Sequence, residues 1–149
     1  MKVTWDFSEF EKFADGLADK HPFDTAMMTA TQNIARVLHG HLLKNTPVDT
    51  GNLRKMWSAG DNLLFTVERV SEGFEVTLVN KAKSGKDARS DDESTGFMYG
   101  IAVNDGHKTT SGGWVMGKFF VEASLLQTAK STKIDAIIME QLQKWWDSV

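Results

Sequence analysis

His39-Gly40-His41 is the first place in the 149-residue chain where residue type and spacing suggest chemistry, namely the binding of a divalent metal. Side chains two apart on a helix differ by about 200° around its axis, so this pair cannot converge on one ion and a structural role is expected. Asp105 and His107 are candidates for an acid-base or ligand pair, but nothing in the sequence brings a third group to them. Asp91-Asp92-Glu93 supplies carboxylates of the kind that hold cations, yet adjacent acids in a polar run are ordinarily solvated. Gly106, Gly112, Gly113 and Gly117 lack the strand-to-helix spacing of a phosphate cradle, so no nucleotide cofactor is expected. Lys81, Lys83, Lys86 and Arg89 could meet phosphate while Trp114 stacks on a base, but Asp87, Asp91, Asp92 and Glu93 balance those cations. No catalytic, metal or cofactor-binding set is therefore assigned.

The totals set wider bounds. A chain of this length fits one domain, residues 1–149, and can bury roughly 70% of its unfolded surface. Its 41% hydrophobic and 25% charged residues suit a folded domain, and with no cysteine it has neither disulfides nor thiolate chemistry. A net charge of -3 argues weakly against a dedicated nucleic-acid binder, although local basic patches can survive a negative total. Charges begin at Lys2 and Asp6, and no apolar run approaches the roughly 20 residues needed to span a bilayer, so neither a secretory nor a membrane segment is expected. Of the five tryptophans, Trp114 lies among glycines and Trp145-Trp146 near the chain end, where aromatics often mark protein interfaces.

The elements that must position these residues follow from periodicity. Phe7, Phe10, Phe13, Ala14 and Leu17 recur at helical spacing and predict a first helix over 7–19, with Ser8 and Glu11 able to form a capping box. His21-Pro22 ends it, and Asp24 is the expected N-cap of a second helix reaching about Lys44. Met27, Ala30, Ile34, Val37, Leu38 and His41 share the apolar side of that helix, while His39 points away. The chain then turns at Thr46-Pro47-Val48-Asp49-Thr50-Gly51-Asn52-Leu53-Arg54. Pro47 fixes its φ, Asp49 or Thr50 caps, Gly51 permits a close approach, and a helix over 52–59 presents Leu53, Met56 and Trp57 together.

Beyond the corner, Leu63, Phe65 and Val67, then Phe74, Val76 and Leu78, alternate with polar neighbours and predict a hairpin over about 63–70 and 74–80. A two-residue Glu72-Gly73 turn pairs Val67 with Leu78 and Glu68 with Thr77, and is preferred because a Val70 to Gly73 loop opposes Glu68 to Glu75. Residues 81–96 read as a mobile surface loop. Met98 to Val103 forms a short helical or extended piece that Asn104-Asp105-Gly106 breaks, and His107 to Gly113 is a polar stretch. A long C-terminal helix begins near Lys118, with a break near Ser131-Thr132 where Thr132 and Asp135 recap it. The fold class is α+β: two N-terminal helices, a short helix after the corner, a small antiparallel sheet built on the hairpin, and the long C-terminal helix.

Thr46-Pro47-Val48-Asp49-Thr50-Gly51-Asn52-Leu53-Arg54 resembles the Thr-Pro-Val-Asp-Thr-Gly-x-Leu-Arg corner of the tail-component family of long-tailed bacteriophages and prophages. Tyr99-Gly100-Ile101-Ala102-Val103-Asn104-Asp105-Gly106-His107, followed by Gly117-Lys118-Phe119-Phe120 and Ala123, is similar to that family's Tyr-Ala-x-x-Val-Glu-x-Gly segment and Pro-Gly-Arg-x-Phe helix start. Gly100 replaces its alanine, Asn104 its glutamate and Met116 its proline, and the likeness spans roughly residues 24–130. The resemblance implies a non-enzymatic virion subunit for head-tail joining or tail completion, assembled in host cytoplasm as a ring with copies of itself and with neck and tail proteins. DNA is then only passing cargo. Lys83, Lys86, Arg89, Trp114 and Trp146 are the expected assembly interface. A small metal-dependent hydrolase or nuclease using Asp105 and His107, and a free-standing binding adaptor, are the alternative classes.

Overall fold

The computed structural model describes residues 1–14, 20–48, 52–59, 63–84, 97–98 and 100–148. It shows an α+β fold, with helices and small antiparallel sheets ending in a long C-terminal helix. An unexpected strand opens it. Val3 and Trp5 alternate with Lys2, Thr4 and Asp6, and that period of two forms β1 (Lys2–Asp6), which turns Val3 and Trp5 toward the core. Helix α1 (Ser8–Ala14) follows, and the Ser8 N–H is taken by Asp6 Oδ1 at 2.8 Å rather than by a Ser8-Glu11 box. Residues 15–19, including Leu17, lie outside the described residues.

Helix α2 (Lys20–Asn45) does not wait for Asp24. Pro22 sits in its first turn, where an N–H has no intrahelical partner to lose, so it opens the helix instead of ending α1. Asp24 instead lies 3.7 Å from Arg69. The apolar side of α2 is wider than the predicted stripe. Phe23, Met27, Ala30, Thr31, Ile34, Ala35, Leu38, His39 and Leu42 are all buried, because the helix is covered by the sheet on one side and by two C-terminal helices on the other. His39 therefore faces the protein, with Nε2 3.4 Å from the Trp57 carbonyl, while Val37 and His41 are only half-buried.

The helix after the corner is one turn, α3 (Asn52–Lys55), and the chain leaves it to form β2 (Trp57–Ser58). Leu53 and Trp57 reach the core, but Met56 is exposed because it is no longer helical. Strands β3 (Thr66–Val70) and β4 (Gly73–Thr77) make the expected hairpin in the register the sequence disfavoured. Val70 pairs with Gly73, Val67 with Val76 and Glu68 with Glu75, so the turn residues are Ser71 and Glu72. The side-chain parity survives, and Phe74, Val76 and Leu78 are buried. The opposed glutamates are tolerated because β1 lies on the other edge of β4, giving the order β1-β4-β3, and Lys2 Nζ reaches Glu75 Oε1 at 3.3 Å. That close strand demands glycine at 73: its φ is 153°, and a Cβ there would stand 2.0 Å from the Trp5 carbonyl oxygen.

Strand β5 (Val79–Asn80) pairs with β2, and Ala82 is fully buried. Strand β6 (Lys83–Ser84) pairs with β7 (Phe97–Met98), so the predicted loop starts later than residue 81, and 85–96 lie outside the described residues. Helix α4 (Gly100–Asp105) runs through Asn104, and the segment read as merely polar is a second hairpin, β8 (Gly106–Lys108) with β9 (Trp114–Met116). The C-terminal helix is broken as expected, into α5 (Phe120–Ala129) and α6 (Thr132–Ser148). Ser131 makes the new start, its Oγ accepting the Lys133 N–H at 3.3 Å and its carbonyl the Ile134 N–H at 3.1 Å.

Candidate assembly surfaces

Thr46 anchors the corner. Its hydroxyl donates to the Leu42 carbonyl at 2.5 Å and accepts the Trp57 indole N–H at 2.8 Å, while its own carbonyl accepts Arg54 Nη2 at 3.1 Å. Three groups near the end of α2 are thereby satisfied by one residue that is 1% exposed. Asn80 Nδ2 donates to the Leu53 carbonyl at 2.7 Å, and Trp57 meets Phe120 edge to face with centroids 6.2 Å apart. The corner thus ties α2, α3, β5 and α5 into one packed cluster with Leu38, Leu42, Val76 and Leu78. Pro47 is half-buried and Val48 exposed, while Asp49, Thr50 and Gly51 lie outside the described residues, as does Tyr99.

Asn104 anchors the second half. Its Nδ2 donates to Asp105 Oδ1 at 2.6 Å and to Glu122 Oε2 at 3.0 Å, its Oδ1 accepts the Val121 N–H at 3.0 Å, and its carbonyl accepts the Phe119 N–H at 2.9 Å. The residue that replaces the family's glutamate thus caps α5 across the hairpin. His107 Nδ1 lies 3.4 Å from the Ala102 carbonyl, so Asp105 and His107 are each engaged elsewhere. Among the described residues no three acidic or histidine side chains gather as a metal site.

What these anchors hold out is apolar. Strand β9 presents Trp114 at 60% and Met116 at 71% exposure, with Val115 exposed between them, so neither face of the strand is covered. Gly106, at φ 90°, lets the chain turn from α4 into this hairpin with Trp114 against it; a Cβ there would stand 2.6 Å from the Val115 carbonyl oxygen. Phe119, at φ 48° and ψ 35°, is left-handed, which a bulky side chain rarely adopts, and its ring is half-exposed. A second apolar surface runs along α6, where Phe23, Met139, Leu142, Trp145 and Trp146 with Glu9 line a groove of about 540 Å³. Trp145 is 5% exposed and meets the Phe23 ring at 5.1 Å, but its indole N–H has no acceptor among the described residues. Trp146, at 58% exposure, forms the outer wall.

Trp114 and Trp146 are both at the surface, on β9 and α6. Lys83 is in β6, while Lys86 and Arg89 lie outside the described residues. Met116 and Met139 are also exposed, and neither is among the residues expected at the interface. Met139, Leu142 and Trp146 recur at i, i+3 and i+7, a helical spacing that is legible in the sequence.

An α+β body that turns large apolar side chains of β9 and α6 outward has a build suited to assembly. Comparison with known families gives the same class: residues 8–106 match the family described as "Bacteriophage HK97-gp10, putative tail-component", and the chain belongs to that family. Membership makes it a bacteriophage tail-component protein, a structural class found in virions and in contact with other phage structural proteins. The match takes in the corner and α4 but ends before the Gly117-Lys118-Phe119-Phe120 helix start. No curated protein and no solved structure matches the chain. No helix among the described residues is long and apolar enough to cross a membrane.

Proposed function

We propose that the protein is a head-tail joining or tail completion subunit of a long-tailed bacteriophage or prophage, folding over 1–149 as one domain and acting in a ring by assembly, not catalysis. The observation that carries this is the outward display of Trp114, Val115 and Met116 on a hairpin of a tail-component family member. A two-stranded hairpin bare on both sides of one strand is marginal by itself in water and gains from a neighbour's cover. Residues 85–96, with Lys86 and Arg89, join it as a contact to adjoining neck or tail proteins, and DNA passes through the ring without specific binding. The mildly acidic total charge of -3 suits such a passage.

Deleting the gene from the phage and examining particles by electron microscopy tests this. Filled heads accumulating beside separate finished tails are expected, with plasmid-borne protein restoring joined particles. Normal infectious virions, or a block at head formation, would overturn it.

A further inference from the structure

The geometry points to the partner of the exposed hairpin: the β8–β9 arm of one copy seats in the α6 groove of the next. This rests on the ring proposed above and names its contact. Each copy carries both halves, a convex arm bare on both faces and a concave groove of about 540 Å³ walled by Met139, Leu142 and Trp146. Because the halves differ, their union is heterologous, the arrangement that propagates head to tail until it closes.

The chemistry of the two surfaces favours the arm as occupant. The groove is floored by the edge-to-face rings of Phe23 and Trp145 and rimmed by Met139, Leu142 and Trp146, an apolar lining that matches the exposed Trp114, Val115 and Met116. Charge agrees as well. Lys108 and Lys118 flank Trp114 and Met116 on the arm, whereas Glu9 lines the groove and Glu140 and Asp147 stand on its helix. Lys12 and Lys144 pair with Glu9 and Glu140 only through exposed side chains, so those carboxylates can exchange partners at little cost.

The test uses two full-length variants that leave the described core alone, Trp114→Ser on the arm and Met139→Arg in the groove, each checked by thermal melting. Wild-type protein should form a closed oligomer by native mass measurement and sedimentation. Each variant alone should weaken association at least tenfold, and an equimolar mixture should form a 1:1 dimer that grows no further, since it contains one intact arm and one intact groove. The absence of native cysteine allows a second measurement: Met116→Cys and Met139→Cys copies should cross-link when mixed and oxidised, and neither alone. A wild type that stays monomeric, variants that assemble normally, a mixture that stays monomeric, or cross-linking of Met116→Cys with itself alone would each overturn the arm-in-groove contact. If the deleted phage still shows unjoined heads and tails, such a failure falls on this contact and leaves the joining role in place.

Discussion

The hydroxyl of Thr46 stands between the Trp57 indole N–H, 2.8 Å away, and the Leu42 carbonyl, 2.5 Å away, and so fastens the end of α2 to the start of β2. Thr46→Val keeps the volume but leaves the buried indole N–H without its acceptor, which should cost about 1–3 kcal/mol in chemical denaturation. Adding Trp57→Phe should cost less than the sum of the two single changes, because the donor is gone as well. Full additivity would show that the hydroxyl is not where the corner's stability lies.

Gly73→Ala places a methyl group on the Trp5 carbonyl at a φ that alanine adopts only under strain. A loss of about 3 kcal/mol or more is expected from φ strain and the displaced β1 together. Amide exchange should speed up first along Lys2–Asp6. Equal protection of β1 in the variant would refute the close approach.

Glu68→Lys replaces a like-charge cross-strand pair by an attractive one, since Glu68 faces Glu75. A gain of about 0.5 kcal/mol is expected, shrinking as salt is raised. An unchanged melting temperature at low salt would argue against this register.

Phe119→Gly relieves the left-handed φ, and stability should rise by up to about 1 kcal/mol after glycine's own entropy cost. Assembly should weaken in the same protein because an exposed ring is lost. A parallel fall in melting temperature would mean that the ring serves the fold and not a partner.

The pairing of Ser84 with Phe97 gives a way to remove the charged segment cleanly. Deleting residues 86–95 joins Gly85 to Gly96 as a two-residue link suited to a hairpin. The shortened chain should melt within about 0.5 kcal/mol of wild type and fail to support virion assembly, and normal virions would remove Lys86 and Arg89 from the interface.

The α+β class, the hairpin parity and the break at Ser131 were legible because each depends on local periodicity or a local cap. The hairpin register was not, because the rule against opposed glutamates was overridden by Lys2, some seventy residues earlier in the chain. Core composition misled in α5. Its buried side is Phe120, Ser124 and Thr128, whose hydroxyls donate to the carbonyls of Phe120 and Ser124 and so let α5 pack against α2 like a helix of small apolar residues. Leu126, a large apolar side chain of the same helix, faces solvent. The Arg69 link to Glu11 and Asp24, under which the guanidinium lies 5.2 Å from the Phe74 ring, joins three elements that no spacing rule connects. Sequence context singled out Trp114 and Trp146, which lie exposed, but the groove between α1, α2 and α6 is a product of packing.

The pairing of Lys2 with Thr77 also sets a timetable. On the ribosome β1 is made about 75 residues before its partner strand, which at roughly 5–20 residues per second is a wait of about 4–15 s. Throughout it Val3 and Trp5 have no sheet to join. Because the β3–β4 hairpin closes locally within microseconds once made, the last event in building this sheet is the return of its first strand.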